Sequence, residues 1–128
     1  MKAEDIVEKY KESFELCTDF SVPTPWLPIV DKLTGIISCR RKRLGIEPLQ
    51  ITQIKDKFGG LNYYCVGTDD VEDRWIRKAE HICRNTCEVC GTKTKVELHK
   101  IRSWLWTLCD KCHIEKRAEL KLDNFEEN

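Results

Sequence analysis

The chain has 128 residues, 41% of them hydrophobic and 34% charged, enough for one well-solvated domain with a core and too few for two. Lys plus Arg and Asp plus Glu number 22 each, so no global field draws the chain to nucleic acid or an anionic membrane. No apolar run approaches the roughly 18–20 residues that span a bilayer, and no apolar stretch follows Met1–Asp5. Both features predict a cytoplasmic protein with reduced thiols and no membrane partner.

The first segment, Asp5 to about Cys17, places Ile6, Tyr10, Phe14 and Cys17 at helical spacing. Ser21–Pro25 breaks the pattern. A second helix follows, capped by Thr24 with Pro25 at its first position or starting at Pro28. Its stripe is Trp26, Ile29, Val30, Leu33 and Ile37, and it runs out in the basic cluster Arg40–Arg43. From Pro48 the period changes. Leu49–Ile54 and Leu61–Val66 carry strand formers, and Gly59 and Gly60 lie between them, which predicts a β-hairpin with a loop of several residues. Thr68, Asp69 and Asp70 offer caps for a third helix, about Val71 to Thr86. One face of it is apolar (Val71, Trp75, Ile76, Ala79, Ile82, Cys83) and the other is basic (Arg74, Arg77, Lys78, His81, Arg84). A second short hairpin is expected over about Val96 to Leu108, a last helix over His113 to about Leu122, and an acidic, frayed tail over 123–128.

The chemistry concentrates in Cys87-Glu88-Val89-Cys90-Gly91 and Cys109-Asp110-Lys111-Cys112, two C-x-x-C pairs separated by eighteen residues. In such a turn two sulfurs converge on one point, about 2.3 Å from a zinc ion. Gly91 lets the backbone leave the turn with positive φ. Four thiolates close the tetrahedron, so the expected cofactor is one structural zinc held by Cys87, Cys90, Cys109 and Cys112. His99 and His113 are weaker candidate ligands. The scattered Cys17, Cys39, Cys65 and Cys83 are expected to be small core residues. The order knuckle, hairpin, then a cysteine pair opening a helix resembles a treble-clef zinc finger. The predicted fold is therefore α+β: N-terminal helices packed on a β-hairpin over 1–86, and a helix leading into a treble-clef-like zinc-binding subdomain over 87–122. The whole forms a single domain.

Gln53-Ile54-Lys55-Asp56-Lys57-Phe58-Gly59-Gly60-Leu61-Asn62-Tyr63-Tyr64 resembles the Q-x-K-x-K-F-G-G-L-x-[FY]-Y hairpin of a family of small phage and prophage zinc-binding proteins. In that family the hairpin precedes a helix, a Cys-x-x-Cys-Gly knuckle and a Trp-containing strand leading to a second ligand pair. Here those parts are Val71–Thr86, Cys87–Gly91 and Trp104–Cys109. The resemblance spans about Trp26 to Cys112 and implies a phage or mobile-element origin, with no activity attached. The family's final ligand is often His; Cys112 takes that place here.

Three functional expectations follow. The first is a non-enzymatic module that docks on a host protein and inhibits a host enzyme or defence system. Its candidate surface is Arg74, Arg77, Lys78 and Arg84 with the aromatic residues Tyr64, Trp104 and Trp106, beside Tyr63. The second is nucleic-acid binding, since 84–117 holds eight Lys/Arg against four Asp/Glu. The third is a degenerate HNH-like nuclease with His99 as base and His113 as metal ligand. The short loop, and the lack of an Asn between His99 and Cys109, depart from that outline. No catalytic residue is assigned.

Overall fold

A computed structural model describes residues 1–124. The elements are α1 (Ala3–Lys9), β1 (Asp19–Ser21), α2 (Leu27–Leu44), β2 (Gln50–Lys57), β3 (Gly60–Val66), α3 (Asp70–Arg84), β4 (Val96–Ile101), β5 (Trp104–Cys109) and α4 (Asp110–Asn124). The fold is α+β, with one sheet of order β1-β2-β3 and a separate β4-β5 hairpin. Among the described residues no helix is long and apolar enough to cross a membrane.

In the larger sheet β2 and β3 are antiparallel and β1 runs parallel to β2. Leu49, Ile51 and Ile54 are all fully buried, although strict alternation would aim residue 53 inward instead of 54. A bulge between Ile51 and Gln53 resolves the conflict by adding one residue and returning Ile54 to the core face. Trp26, Val30, Leu33 and Ile37 close over this face, together with Ile76, Ala79 and Cys83 of α3. Each such large side chain contributes about 1.5–3 kcal/mol by leaving water. Tyr63 joins the core, and its hydroxyl shares a 2.8 Å hydrogen bond with Thr34.

The ends of α2 and α3 meet in a buried ion pair. Gly45, at φ 70°, stops α2, where only glycine adopts this left-handed conformation without cost. Asp69 caps α3 by accepting from the Glu72 N–H at 2.9 Å, while Glu72 accepts from the Asp69 N–H at 3.1 Å. The same Glu72 carboxylate takes both forks of Arg41, at 2.7 and 2.9 Å. Arg41 also donates to the carbonyls of Glu47 and Gly67. The expected basic cluster at 40–43 is thus divided. Arg41 is buried and Arg40 is held by Asp69 at 2.6 Å, leaving Lys42 and Arg43 exposed.

Other boundaries differ from the sequence expectation. The first helix ends at Lys9, not near Cys17. A 3-10 turn over Lys11–Ser13 follows, and Phe14 stacks on Phe20 of β1 at 5.4 Å. The chain has to reverse there, because the Thr18 N–H already bonds the Thr52 carbonyl to start the parallel pairing. The first hairpin's loop is two residues, since β2 runs on through Lys57. The last helix begins three residues earlier than expected, at Asp110. Residues 125–128, most of the acidic tail, lie outside the described residues.

Arg41 holds the Glu72 carboxyl below the usual carboxylate range. A group depressed in the folded state contributes stability fully above its unfolded pKa, about 4.3, and loses it as pH falls through the folded value. Glu72→Gln should cost about 3–5 kcal/mol at neutral pH, because it leaves Arg41 buried without a counter-charge. The stability of the variant should also fall less than the wild type's between about pH 4 and 2, as read by denaturant melts at each pH.

Candidate metal centre and the surfaces around it

Cys87 and Cys90 sit in the turn after α3, Cys109 ends β5, and Cys112 lies in the first turn of α4. Their four sulfurs lie within 4.8 Å of one another. The Cys90 and Cys109 sulfurs are 3.7 Å apart, which is the edge of a tetrahedron whose arms are about 2.3 Å and far longer than a disulfide of about 2.05 Å. Four thiolates in this arrangement can hold a soft metal ion with no position left for water. Neither His99 nor His113 belongs to the group.

Local structure builds each half. The Gly91 N–H returns to the Cys87 carbonyl at 2.9 Å, and Gly91 has φ 81°. A Cβ at Gly91 would lie 3.4 Å from Pro25 Cβ, so the knuckle packs on the 3-10 turn over Thr24–Trp26 that leads into α2. In the second half the Cys112 N–H donates to the Cys109 sulfur at 3.4 Å. Cys109 thereby acts as the N-cap of α4, which explains the helix start at Asp110 and sets that thiolate at the positive end of the dipole. Burial pushes the Cys87 thiol up, but the N–H groups of Cys90, Cys109 and Val89 outweigh it and hold the thiol down to about 7. Within the cluster Cys112 is instead pushed up, by burial and by the sulfurs of Cys109, Cys90 and Cys87, and Cys90 is raised too. Burial pushes Cys83 up to about 12 and Cys65 up to about 11, so those thiols stay protonated and inert. Cys39, expected in the core, is exposed.

The metal region has its own small core of Cys87, Ile101, Leu108, Cys109 and Cys112. Three of these five residues are sulfur donors. The region is fastened to the larger core at two places. Trp26 Nε1 donates to the Thr86 carbonyl at 3.0 Å, directly before Cys87. At the other, the tip of the first hairpin rests on β4-β5. There the Thr107 hydroxyl donates to the Gly59 carbonyl, and the Thr107 N–H donates to Glu88 at 2.8 Å. Burial pushes Glu88 up to about 7, and the charge of Asp56 of β2 acts in the same direction. Sequence reasoning missed this Asp56–Glu88–Thr107 cluster. The only signal for it was an acid inside each motif.

Phe58 and Gly59 form the hairpin tip, both with positive φ, 57° and 78°, and Lys57 is paired with Gly60. This is the type I′ geometry, which favours Asn-Gly. A Cβ on Gly59 would meet Leu98 Cδ1 at 2.5 Å and the Leu105 carbonyl oxygen at 3.4 Å. Phe58 itself is 75% exposed, with the Lys57 ammonium 5.6 Å above its ring.

The expected binding surface is brought together only in part. Arg74, Arg77, Lys78 and Arg84 are exposed along α3, and Arg84 Nε lies 3.7 Å from where a Cβ on Gly60 would stand. Tyr63 belongs to the core, while Tyr64 points to the opposite face of its sheet and is exposed. Trp104 is 62% exposed. Trp106 is half-buried against the metal-region core, with Lys116 4.7 Å above its ring. His99 and His113 stack at 3.6 Å. Arg117 Nε donates to His113 Nε2 at 2.7 Å, which occupies that nitrogen's lone pair and fixes the neutral tautomer. No family model, curated protein or solved structure matches this chain.

Cys109→Ala should abolish metal binding and lower the melting temperature, because it removes a candidate ligand and the α4 cap together. Cys39→Ala should change neither, as read by metal analysis and thermal melts. Gly59→Ala should cost about 1–3 kcal/mol, since alanine meets both a positive φ and Leu98.

Proposed function

We propose that this protein is a zinc-stabilised docking module, phage-encoded as the hairpin motif implies, that binds a host protein. Zinc suits four thiolates without redox chemistry or a geometric demand of its own. The knuckle, the β4-β5 hairpin and α4 then make a treble-clef-like finger with a structural role.

The observation that carries this reading is Phe58. A large apolar side chain stands in a left-handed turn position where Asn or Gly is cheaper, and three quarters of it lies in solvent. The Lys57 ammonium over its ring is worth little at so exposed a site. Local rules broken without a structural return are expected at functional positions. Leu98 and Trp104 on the second sheet are also more than half exposed. Together with the basic face of α3, these side chains offer aromatic anchors and Arg/Lys partners of the kind that dominate interfaces. Inhibition of a host enzyme or defence system is the role such docking would serve.

The test is one substitution. Phe58→Asn fits the turn better and should leave the melting temperature unchanged or raise it, yet it should abolish capture of the host protein that the wild type retains from lysate. Equal capture by both would refute this docking surface.

A second reading is favoured by the His99–His113 stack on a ββα unit, as in a degenerate HNH-like nuclease. The departures from that pattern, and the Arg117 hydrogen bond on His113, weigh against it. Plasmid incubated with Mg²⁺ or Mn²⁺ should stay intact. Cleavage that His99→Ala abolishes would establish the nuclease instead. Nucleic-acid binding without cleavage would show as an affinity that collapses between about 50 and 200 mM salt.

A further inference from the structure

α2 and α3 pack side by side but do not close over each other along their outer edges. Between them lies a groove of about 510 Å³. Both walls carry the same pattern. On α2, Ile29 and Ile36 stand seven residues apart with Lys32 between them; on α3, Trp75 and Ile82 stand seven apart with Lys78 between them. Residues i, i+3 and i+7 share one helix face, so each wall is an apolar stripe about two turns long, roughly 10 Å, with an ammonium at its middle. Lys93, from the segment after the knuckle, adds a third cation at the rim, and among the described residues no Asp or Glu lines the groove. Ile36 is 40% exposed and Trp75 only half-buried.

We propose that this groove binds an acidic amphipathic helix of a partner protein. A helix laid along two parallel stripes would bury apolar residues at i, i+4 and i+7 against Ile29, Ile36 and Trp75. Its flanking carboxylates would then meet Lys32, Lys78 and Lys93. Exposed lysines add little raw affinity but select the sign of the partner and raise its association rate. The constitutively basic outer face of α3, with Arg74 and Arg77, extends the same field. This groove shares Lys78 and the basic face of α3 with the proposed docking surface but does not include Phe58, so Phe58→Asn and a change at Ile36 test the two separately.

The probe is a synthetic, end-capped helical peptide of about four turns, with Leu at i, i+4, i+7 and i+11 and Glu flanking the stripe. The control replaces each Glu by Lys. Titrated against the full, metal-loaded protein by fluorescence anisotropy at low salt, the acidic peptide should bind saturably and the basic one should not. The surface double variant Lys32→Glu/Lys78→Glu should weaken binding at least about tenfold, Ile36→Ser should weaken it as well, and Phe58→Asn should leave it unchanged. Three results would overturn the proposal: equal binding of the two peptides, no saturable binding by either, or acidic-peptide binding that survives the charge reversal. Self-association that the same charge reversal abolishes would also overturn it, by assigning the groove to a second copy of the chain.

Discussion

Four sulfurs converge on one point, and a metal ion held there would fix the C-terminal third of this protein in place. Without them the buried core of that region is Ile101 and Leu108, with Val96, Trp106 and Leu120 only partly buried against it, too little apolar surface to order about 35 residues. A structural metal supplies on the order of 10 kcal/mol of apparent folding free energy, which exceeds anything the remaining packing could contribute. A metal bound there would also act at a distance. The hairpin tip is supported by Thr107 and Glu88, so the position of Phe58 depends on the β4-β5 platform that the sulfurs fasten.

The larger core works by different means. It rests on ordinary burial around Trp26 and Ile37 and on the Arg41–Glu72 pair that joins the end of α2 to the start of α3. A buried pair of this kind adds less to net stability than its Coulomb energy suggests, because both charges are desolvated. Its effect is to fix register, since Glu72 also completes the cap of α3. The two cores meet at the Trp26–Thr86 hydrogen bond and at the Gly59 contact. The first sets the knuckle's position on α2, and the second explains why a Cβ is excluded at the hairpin tip.

The sequence showed what short-range chemistry determines. The two C-x-x-C pairs, the Gly91 turn, the stripes of α2 and α3 and the strands around Gly59-Gly60 all follow from spacing and residue type. Features set by distant partners were not legible. The end of α1 depends on Thr18 pairing with Thr52, and β1 is only three residues long. The bulge at Thr52 was hidden in an apparent alternation. Arg41 looked like its exposed neighbours until Glu72, 31 positions away, drew it inward. Tyr63 and Tyr64 were equal in sequence, but the pleat buries one and exposes the other. The start of α4 was missed because a ligand sulfur is not among the usual caps.

The functional reading follows from this division. The cysteine cluster, once it holds a metal, and the ion pair make a frame, and what the frame presents outward is Phe58, Trp104, Leu98 and a basic helix face. The most direct measurement is amide hydrogen exchange on the purified protein before and after chelation, with metal analysis of the starting material. One tightly bound metal ion per chain is expected, and its removal should expose the amides of β4, β5 and α4 while those of α2, β2, β3 and α3 stay protected. Protein that contains no metal, or protection over 96–124 that survives the chelator, would contradict the account.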